Sequence, residues 1–558
     1  MRTTNKTHGA KFIADKIQKW GVRDVFIFQG GAITHILSEI GKNKKINYFC
    51  PHHEQTVAMA SDGYSRLKGL GVGLVTSGPG ATNLITGVAS AYYDSIPCIF
   101  FTGQVGQFHI KGERSVRQRG YQETDVVSIF KSITNFSYQL KNIDEIDYIL
   151  DKAHYLATHN RPGPVVLDIP FNLQKAIVTK KNLKKFKIPK IKNKISSNKI
   201  KTIVDKLNSS KKPAVILGGG VRLSKVSKEI VNFFKSKNIP ILTTWPGQDL
   251  IDSNYKNYFG SVGRHSHLSA CNIANNADVL LTLGVRFSPK IVTKFFSSKA
   301  YLISVDVDKF ELNQGLAKPN LSINNSLENF IKIKQINFVK RFNNKNWILF
   351  CNKQKEKFFT NNLNSTKDTK FVNPYNFFID FSKLAPKKGI YVNDTGCNLT
   401  YFMQSFISKP GQRIISSWGN SPMGYSIAGG IGAKLASKNL DVISIIGDGS
   451  FLLNVQELQF IKSHNLNNKI LVLDNKVLGN TKIGAEVYKL ISVGNDKKSG
   501  YFSPDIKKIT KSFGLKYFYL RNNINQKTTI NKFLKSTKGS VLHLKVDPDH
   551  YLAEYSNI

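Results

Sequence analysis

The chain has 558 residues, a length that fits about three domains of 150 to 200 residues better than one core. Its 41% hydrophobic content suits globular domains, and its formal charge of +43 comes from lysines spread along the chain. No basic stretch interleaved with aromatics stands out, which speaks against a nucleic-acid face. Lysine beside abundant Asn, Ile and Phe is the usage of an AT-rich genome. A positive field that draws anionic substrates is the second reading.

From the N-terminus, Met1–Lys6 should lead into an amphipathic helix without the apolar core of a secretory signal. Short apolar strands at 25–28, 73–75 and 165–167 alternate with helical stretches that open after glycine turns, and mark a first unit over 1–185. The longest apolar run, 72–101, is broken by Gly78-Pro79-Gly80, Asp94 and Pro97, so no membrane span is expected. A lysine-rich connector, Lys180 to Lys199, reads as exposed. A second unit, 195–345, holds strands at 214–217, 279–283 and 302–307 and a Gly218-Gly219-Gly220 turn. The polar stretch 343–368 should separate it from a third unit, 370–558, with strands at 390–392, 442–446 and 470–473. This alternation predicts an α/β fold of three doubly wound parallel-sheet domains, with ligands beyond the carboxyl ends of the strands. Cys50, Cys98, Cys271, Cys351 and Cys397 show neither disulfide nor metal spacing, and the chain reads as cytoplasmic.

The densest chemistry lies between 441 and 475. A strand meets the turn Gly447-Asp448-Gly449, a helix from Ser450 to Leu458 follows, and a second strand ends at Asn475. In a right-handed crossover the two strand ends face the same way, so Asp448 and Asn475 fall side by side at the mouth of the sheet. A carboxylate and an amide oxygen are hard ligands suited to Mg²⁺. The backbone N–H groups of Gly449 and Ser450 can approach a diphosphate at the helix N-terminus. A Gly-Asp-Gly turn by itself is common; turn, helix, strand and Asn at this spacing are much less so.

That unit resembles the signature of thiamine-diphosphate (ThDP) enzymes, and the flanking segments resemble the acetolactate synthase family along almost the whole chain. The resemblance implies a third Mg²⁺ ligand, the backbone carbonyl of Val477, and diphosphate contacts around Gly396 and Gly447. The segment 51–66 resembles the family's glutamate motif, which makes Glu54 the residue that hydrogen-bonds the aminopyrimidine ring and drives loss of the reactive proton. A carboxyl that donates must be protonated, so Glu54 should be buried. Segments 74–83, 94–97, 102–105, 121–126 and 161–170 continue the match. By it Gln104 faces the cofactor, Gly30-Gly31 offers a backbone N–H to the substrate oxygen, Met423 props the bent cofactor, and the Ser421 carbonyl receives its 4′-amino group. The three units become pyrimidine-binding, central and diphosphate-binding domains. Segments 260–267 and 283–287 resemble those that hold FAD in acetolactate synthases, although related three-domain enzymes lack it.

The departures concentrate on the acceptor side. Where the family has a second Arg that contacts the acceptor acid, Lys290 stands, and it lacks the bidentate fork. The family's pocket-narrowing Trp falls at Gly484, with Asn480 and Thr481 before it where apolar residues are usual, and Tyr121 replaces a Phe ahead of Gln122. Near the diphosphate, Gly-Gln-His reads Gly396-Cys397-Asn398. The expectation is a carboligase that decarboxylates pyruvate or a close 2-keto acid and passes the two-carbon unit to an acceptor carbonyl. That acceptor is a second pyruvate or, in a roomier polar pocket, a nucleotide-linked keto sugar. The rivals are a plain 2-keto acid decarboxylase and a silent binding relative, the latter disfavoured because Glu54, Asp448 and Asn475 are all present. Glu54 and Asp448 sit in different domains, and in the family such residues meet across subunits, which implies a homodimer or homotetramer. No nucleic-acid or membrane partner is expected.

Overall fold

The computed structural model describes residues 7–189, 194–292, 296, 299–360, 370–550 and 552; Met1–Lys6, 190–193 of the connector and the 361–368 part of the second separator lie outside them. Three six-stranded sheets, all parallel, carry the chain, with one short antiparallel pair, Thr7–His8 with Ile177–Val178, at the edge of the first. Their central strands, such as Gly71–Val75, Pro213–Leu217 and Lys469–Asp474, are buried on both faces. Helices cover both sides, which is why these strands read as unbroken apolar runs rather than alternating ones. No described helix is long and apolar enough to cross a membrane.

The order of strands separates the sheets into two kinds. Numbered along the chain within each sheet, the first and third both run 2-1-3-4-6-5, whereas the middle sheet runs 3-2-1-4-5-6. Each order reverses beside its first strand, where the chain leaves neighbouring strands in opposite directions and opens a crevice at their carboxyl ends. In the third sheet the crevice lies beyond Gly389–Asn393 and Asp441–Gly447, and in the middle sheet beyond Pro213–Leu217 and Val279–Leu283.

The first and third domains share one hydrophobic core, in which Val57 and Val88 lie with Ile431 and Phe451. Its axis is a crossing of two helices, Glu54–Lys68 and Tyr425–Ala436. Glycine lets their backbones touch: a Cβ on Gly432 would stand 1.9 Å from the Ala60 carbonyl oxygen, and one on Gly63 2.1 Å from that of Gly429. Beside the crossing Arg66 is clamped by Asp62 and Asp94, each 2.7 Å away, and Tyr425 donates to Asp62. Asp94 also accepts the N–H groups of Trp418 and Gly419 at 2.9 and 2.8 Å.

Of the two linker stretches, one carries a helix and the other is exposed, as expected. The polar stretch 343–368 contains the helix Lys345–Thr360. Trp347, Phe350 and Cys351 recur on one face at helical spacing, and Trp347 Nε1 donates to the Pro213 carbonyl at 3.0 Å. The lysine-rich composition masked that face. The 180–199 connector is largely exposed but not free, since Phe186 packs 5.6 Å from the rings of Tyr148 and Tyr155 and Lys185 pairs with Asp147.

Candidate active site

Asp448 opens at the reversal point of the third sheet, as the first residue of a helix that ends after five residues at Leu452. The continuous helix expected to Leu458 is two, the second being Glu457–Ser463. Between them Asn454 turns its side chain to the Gly424 carbonyl at 2.8 Å and the Thr56 hydroxyl at 3.2 Å. So short a helix contributes little dipole, and anion binding here rests on the local N–H groups of Gly449 and Ser450.

Asp448, Asn475 and Val477 do converge. The Asn475 amide, with its nitrogen turned inward, donates to Asp448 Oδ1 at 3.3 Å and to the Val477 carbonyl oxygen at 2.8 Å. A cation at this point would take the place of those two N–H bonds, with the amide reversed to offer its oxygen. Two cis ligands about 2.1 Å from a Mg²⁺ ion lie about 3 Å apart, which these spacings resemble. Among the described residues no cluster of three His, Cys, Asp or Glu side chains offers an alternative metal site. Burial, and then the neighbouring Asp474 carboxylate, hold Asp448 well above the usual carboxylate range without a cation.

Two further predicted residues stand on the same rim. Met423 brings its methyl carbon 3.4 Å from where a Gly449 Cβ would be, and Ser421 adopts a left-handed φ of +54° with its hydroxyl bonded to Thr395 at 2.8 Å. A non-glycine residue held there costs on the order of 1 to 3 kcal/mol and marks a turn over-determined by its surroundings. Asp394 supplies them: buried at the end of its strand, it accepts the N–H groups of Gly424 and Ser426 at 3.0 and 2.8 Å and bonds Ser450, while burial pushes its carboxyl up to about 6. Gly396, with φ of +112°, and Gly447 both pack near Asn398 Oδ1. Cys397, buried, lies 3.0 Å from Asn480 Oδ1.

In the first domain Glu54 is 8% exposed and begins its helix, with His53 as cap. Asn83 Nδ2 donates to Glu54 Oε2 at 3.0 Å, which leaves Oε1 for a ligand. Gly31 faces open space, whereas Gly30 lies against Thr76, where any side chain would collide. Gln104 is 1% exposed, its amide nitrogen donates to the Thr124 carbonyl at 2.9 Å and to Asp168 at 3.0 Å, and its oxygen accepts the Val105 N–H. Those bonds fix it at the carboxyl end of its strand.

The acceptor-side residues are not gathered in the single chain. Tyr121 is 86% exposed, and Gln122 leans on the Gly78 turn. Asn480 and Gly484 lie on the helix Gly479–Val487, where a Cβ at Gly484 would meet nothing within 4 Å. Lys290 instead lines a cavity of about 900 Å³ at the reversal point of the middle sheet. Gly220, Trp245, Arg264, Arg286 and Asp306 line it too, together with Arg66, Asp94 and Trp418 from the two outer domains. Trp245 Nε1 is buried there without a partner.

Some contacts had no sequence signal. Tyr501 donates to Asp448 Oδ2 at 2.9 Å across 53 positions. Glu457, fully buried, accepts the His52 N–H at 3.0 Å beside Glu54, and burial pushes its carboxyl up to about 7. Such pairs show no periodicity, because each side comes from a separate element.

Comparison with known proteins gives three matches in chain order: residues 7–129 to the thiamine pyrophosphate enzyme N-terminal TPP binding domain, 200–332 to the central domain, and 394–544 to the C-terminal TPP binding domain. Among relatives, the acetolactate synthase large subunit of Lactococcus lactis subsp. lactis (strain IL1403) is 30% identical over 531 residues, 92% of this chain and 88% of that one. Acetolactate synthase 1, chloroplastic, of Zea mays is 29% identical, over 97% of this chain and 86% of its own. The probable acetolactate synthase large subunit of Methanocaldococcus jannaschii is also 29% identical, over 97% and 92%.

Proposed function

The chain belongs to the acetolactate synthase large-subunit family of thiamine pyrophosphate enzymes, and from that premise we propose a ThDP- and Mg²⁺-dependent carboligase. It decarboxylates pyruvate or a close 2-keto acid and transfers the hydroxyethyl or acetyl unit to an acceptor carbonyl. The observation that carries the reading is the convergence of the Asp448 carboxylate, the Asn475 amide and the Val477 carbonyl within 3.3 Å beside the Gly449 turn. Those three would hold Mg²⁺, and the N–H groups of Gly449 and Ser450 would receive a diphosphate. A cofactor held there would supply the nucleophilic carbon and electron sink that decarboxylation of a keto acid needs. Glu54 would turn its free Oε1 to the cofactor's ring nitrogen and exchange a proton with it there, while Asn83 fixes Oε2. Met423, whose methyl carbon lies beside Gly449, would brace the cofactor from that side.

In the single chain the start of the Glu54 helix touches Asn454 and Glu457 of the third domain. The family resemblance, in which such residues meet across subunits, supports a homodimer or homotetramer. Ile491 and Val493, 90% and 80% exposed after the Asn480 helix, support it too.

For the central cavity we propose FAD. The volume suits a ligand of that size, Arg264 and Lys290 offer charge to a diphosphate, and the orphan indole N–H of Trp245 offers a donor. FAD would be structural, outside the net reaction. The purified protein should carry flavin absorbance that is lost on acid precipitation; a colourless protein that takes up no added FAD overturns this assignment.

The open space at Gly484 and the polar Asn480 leave the acceptor as a second pyruvate or a larger carbonyl such as a nucleotide-linked keto sugar. Labelled pyruvate with ThDP and Mg²⁺, with and without keto sugars, tests the reading. Acetolactate from pyruvate alone at a useful rate makes pyruvate the acceptor, and CO₂ release accelerated only by a sugar makes the sugar the acceptor. Aldehyde as the sole product in every case defeats the carboligase.

A further inference from the structure

The hydrogen bonds around Asp448 extend beyond the Asn475 amide and the Val477 carbonyl. A carboxylate that gives one oxygen to a cation leaves the other in need of a donor, and a buried one cannot take it from water. Asp448 is 2% exposed, and its Oδ2 is filled by the phenol of Tyr501 at 2.9 Å. Tyr501 stands over the glycine turn, its hydroxyl 3.0 Å from where a Gly449 Cβ would be. The backbone N–H of Tyr501 is fixed on the Asp496 carbonyl at 2.8 Å.

The next anchor is Ser503, which donates to Asp474 Oδ1 at 3.1 Å. Asp474 precedes Asn475 and is itself fully engaged: His543 Nε2 lies 2.9 Å and Lys476 Nζ 2.7 Å from its Oδ2. Tyr517 bonds the other nitrogen of His543 at 2.8 Å. Burial works against the Asp474 carboxylate, but the bonds from His543 and Lys476 outweigh it and keep the group below the usual range. Asp474 is thus a charged anchor with no oxygen left for a cation, and Tyr501–Ser503 ties both strand ends from above.

We propose that Tyr501 is a positioning residue of the cation site: its phenol holds Asp448 Oδ2 so that Oδ1 is presented beside Asn475 and Val477. The proposal rests on the cation site described above. Ser503 bonds the same Asp448 carboxylate, so loss of the Tyr501 phenol removes one of two anchors, loosens the carboxylate and lowers cation affinity.

The test compares the full-length protein and Tyr501→Phe by Mn²⁺ titration in the presence of ThDP, following the electron paramagnetic resonance of the free ion. Support is an Mn²⁺ dissociation constant raised about 10- to 100-fold, an unchanged melting temperature of the metal-free protein, and turnover restored to within twofold by excess Mg²⁺. An Mn²⁺ constant within twofold of wild type overturns the proposal, as does lost turnover that excess Mg²⁺ does not restore. Should the wild-type protein itself bind no Mn²⁺ with ThDP, the cation site fails and the proposal falls with it. Asp474→Asn, two bonds removed on the same network, gives the second variant if Tyr501→Phe does not fold; a weakened Mn²⁺ constant rescued by Mg²⁺ is again the supporting result, and an unchanged one overturns it.

Discussion

Glu54→Gln lowers turnover of pyruvate by about 10²- to 10⁴-fold, the range over which a positioned acid–base group accelerates a reaction, or roughly 3 to 5 kcal/mol of barrier. Gln is nearly the same shape, and its oxygen still accepts the bond from Asn83 Nδ2 now seen at 3.0 Å. The N-terminal cap by His53 and the burial of the position are untouched. What Gln lacks is a proton to lend and recover. Cofactor binding should therefore change by less than tenfold while the rate collapses, a split that a folding defect does not produce. Single-turnover CO₂ release together with ThDP titration measures both. A rate within tenfold of wild type removes Glu54 from the chemistry.

The second large effect is structural. Gly432→Ala at the crossing of Glu54–Lys68 and Tyr425–Ala436 places a methyl 1.9 Å from the Ala60 carbonyl oxygen. The obstacle is backbone on both sides, so no rotamer change relieves it and the helices must move apart. Overpacking commonly costs about 1 to 3 kcal/mol, and this site belongs at or above the top of that range. The cost falls on the core that the first and third domains share, so Val57 and Ile431 lose contact together. Gly484→Ala is the contrast. There the methyl meets nothing within 4 Å, and exchange inside a helix gains up to about 1 kcal/mol. Urea unfolding of the two variants should shift in opposite directions; equal shifts would mean that the close crossing does not govern stability.

Both effects return to the same two helices, and this links stability to chemistry. Glu54 begins one of them, and the Gly424 turn that ends in Ser421 and Met423 begins the other. The Asp62–Arg66–Asp94 clamp and the Asp94 bonds to Trp418 and Gly419 hold that turn against the first domain. The central cavity touches the same clamp through Arg66, Asp94 and Trp418. A ligand in the cavity thus contacts side chains that also brace the candidate active site.

The sequence alone determined the features that arise within one supersecondary unit. Runs such as 279–283 and 470–473 declared strands buried on both faces, because a parallel sheet under two layers of helices tolerates no polar alternation. Asp448 and Asn475 were legible as a pair because a single right-handed crossover places its two strand ends together. Glu54 was legible through its flanking segment, and its burial follows from the same helix start. What only the tertiary structure decided are contacts between elements far apart in the chain. The strand orders 2-1-3-4-6-5 and 3-2-1-4-5-6 depend on which edges meet, and no local pattern records that. The helix Lys345–Thr360 stayed hidden because its apolar face needs a partner surface to be seen. Gln104 is fixed at its strand end because Asp168, on a neighbouring strand, offers a buried acceptor that water cannot satisfy. Tyr501 reached Asp448 only through the packing of the loop that follows Gly479–Val487. Local periodicity reports burial; the choice of partner is made by the packing of whole elements.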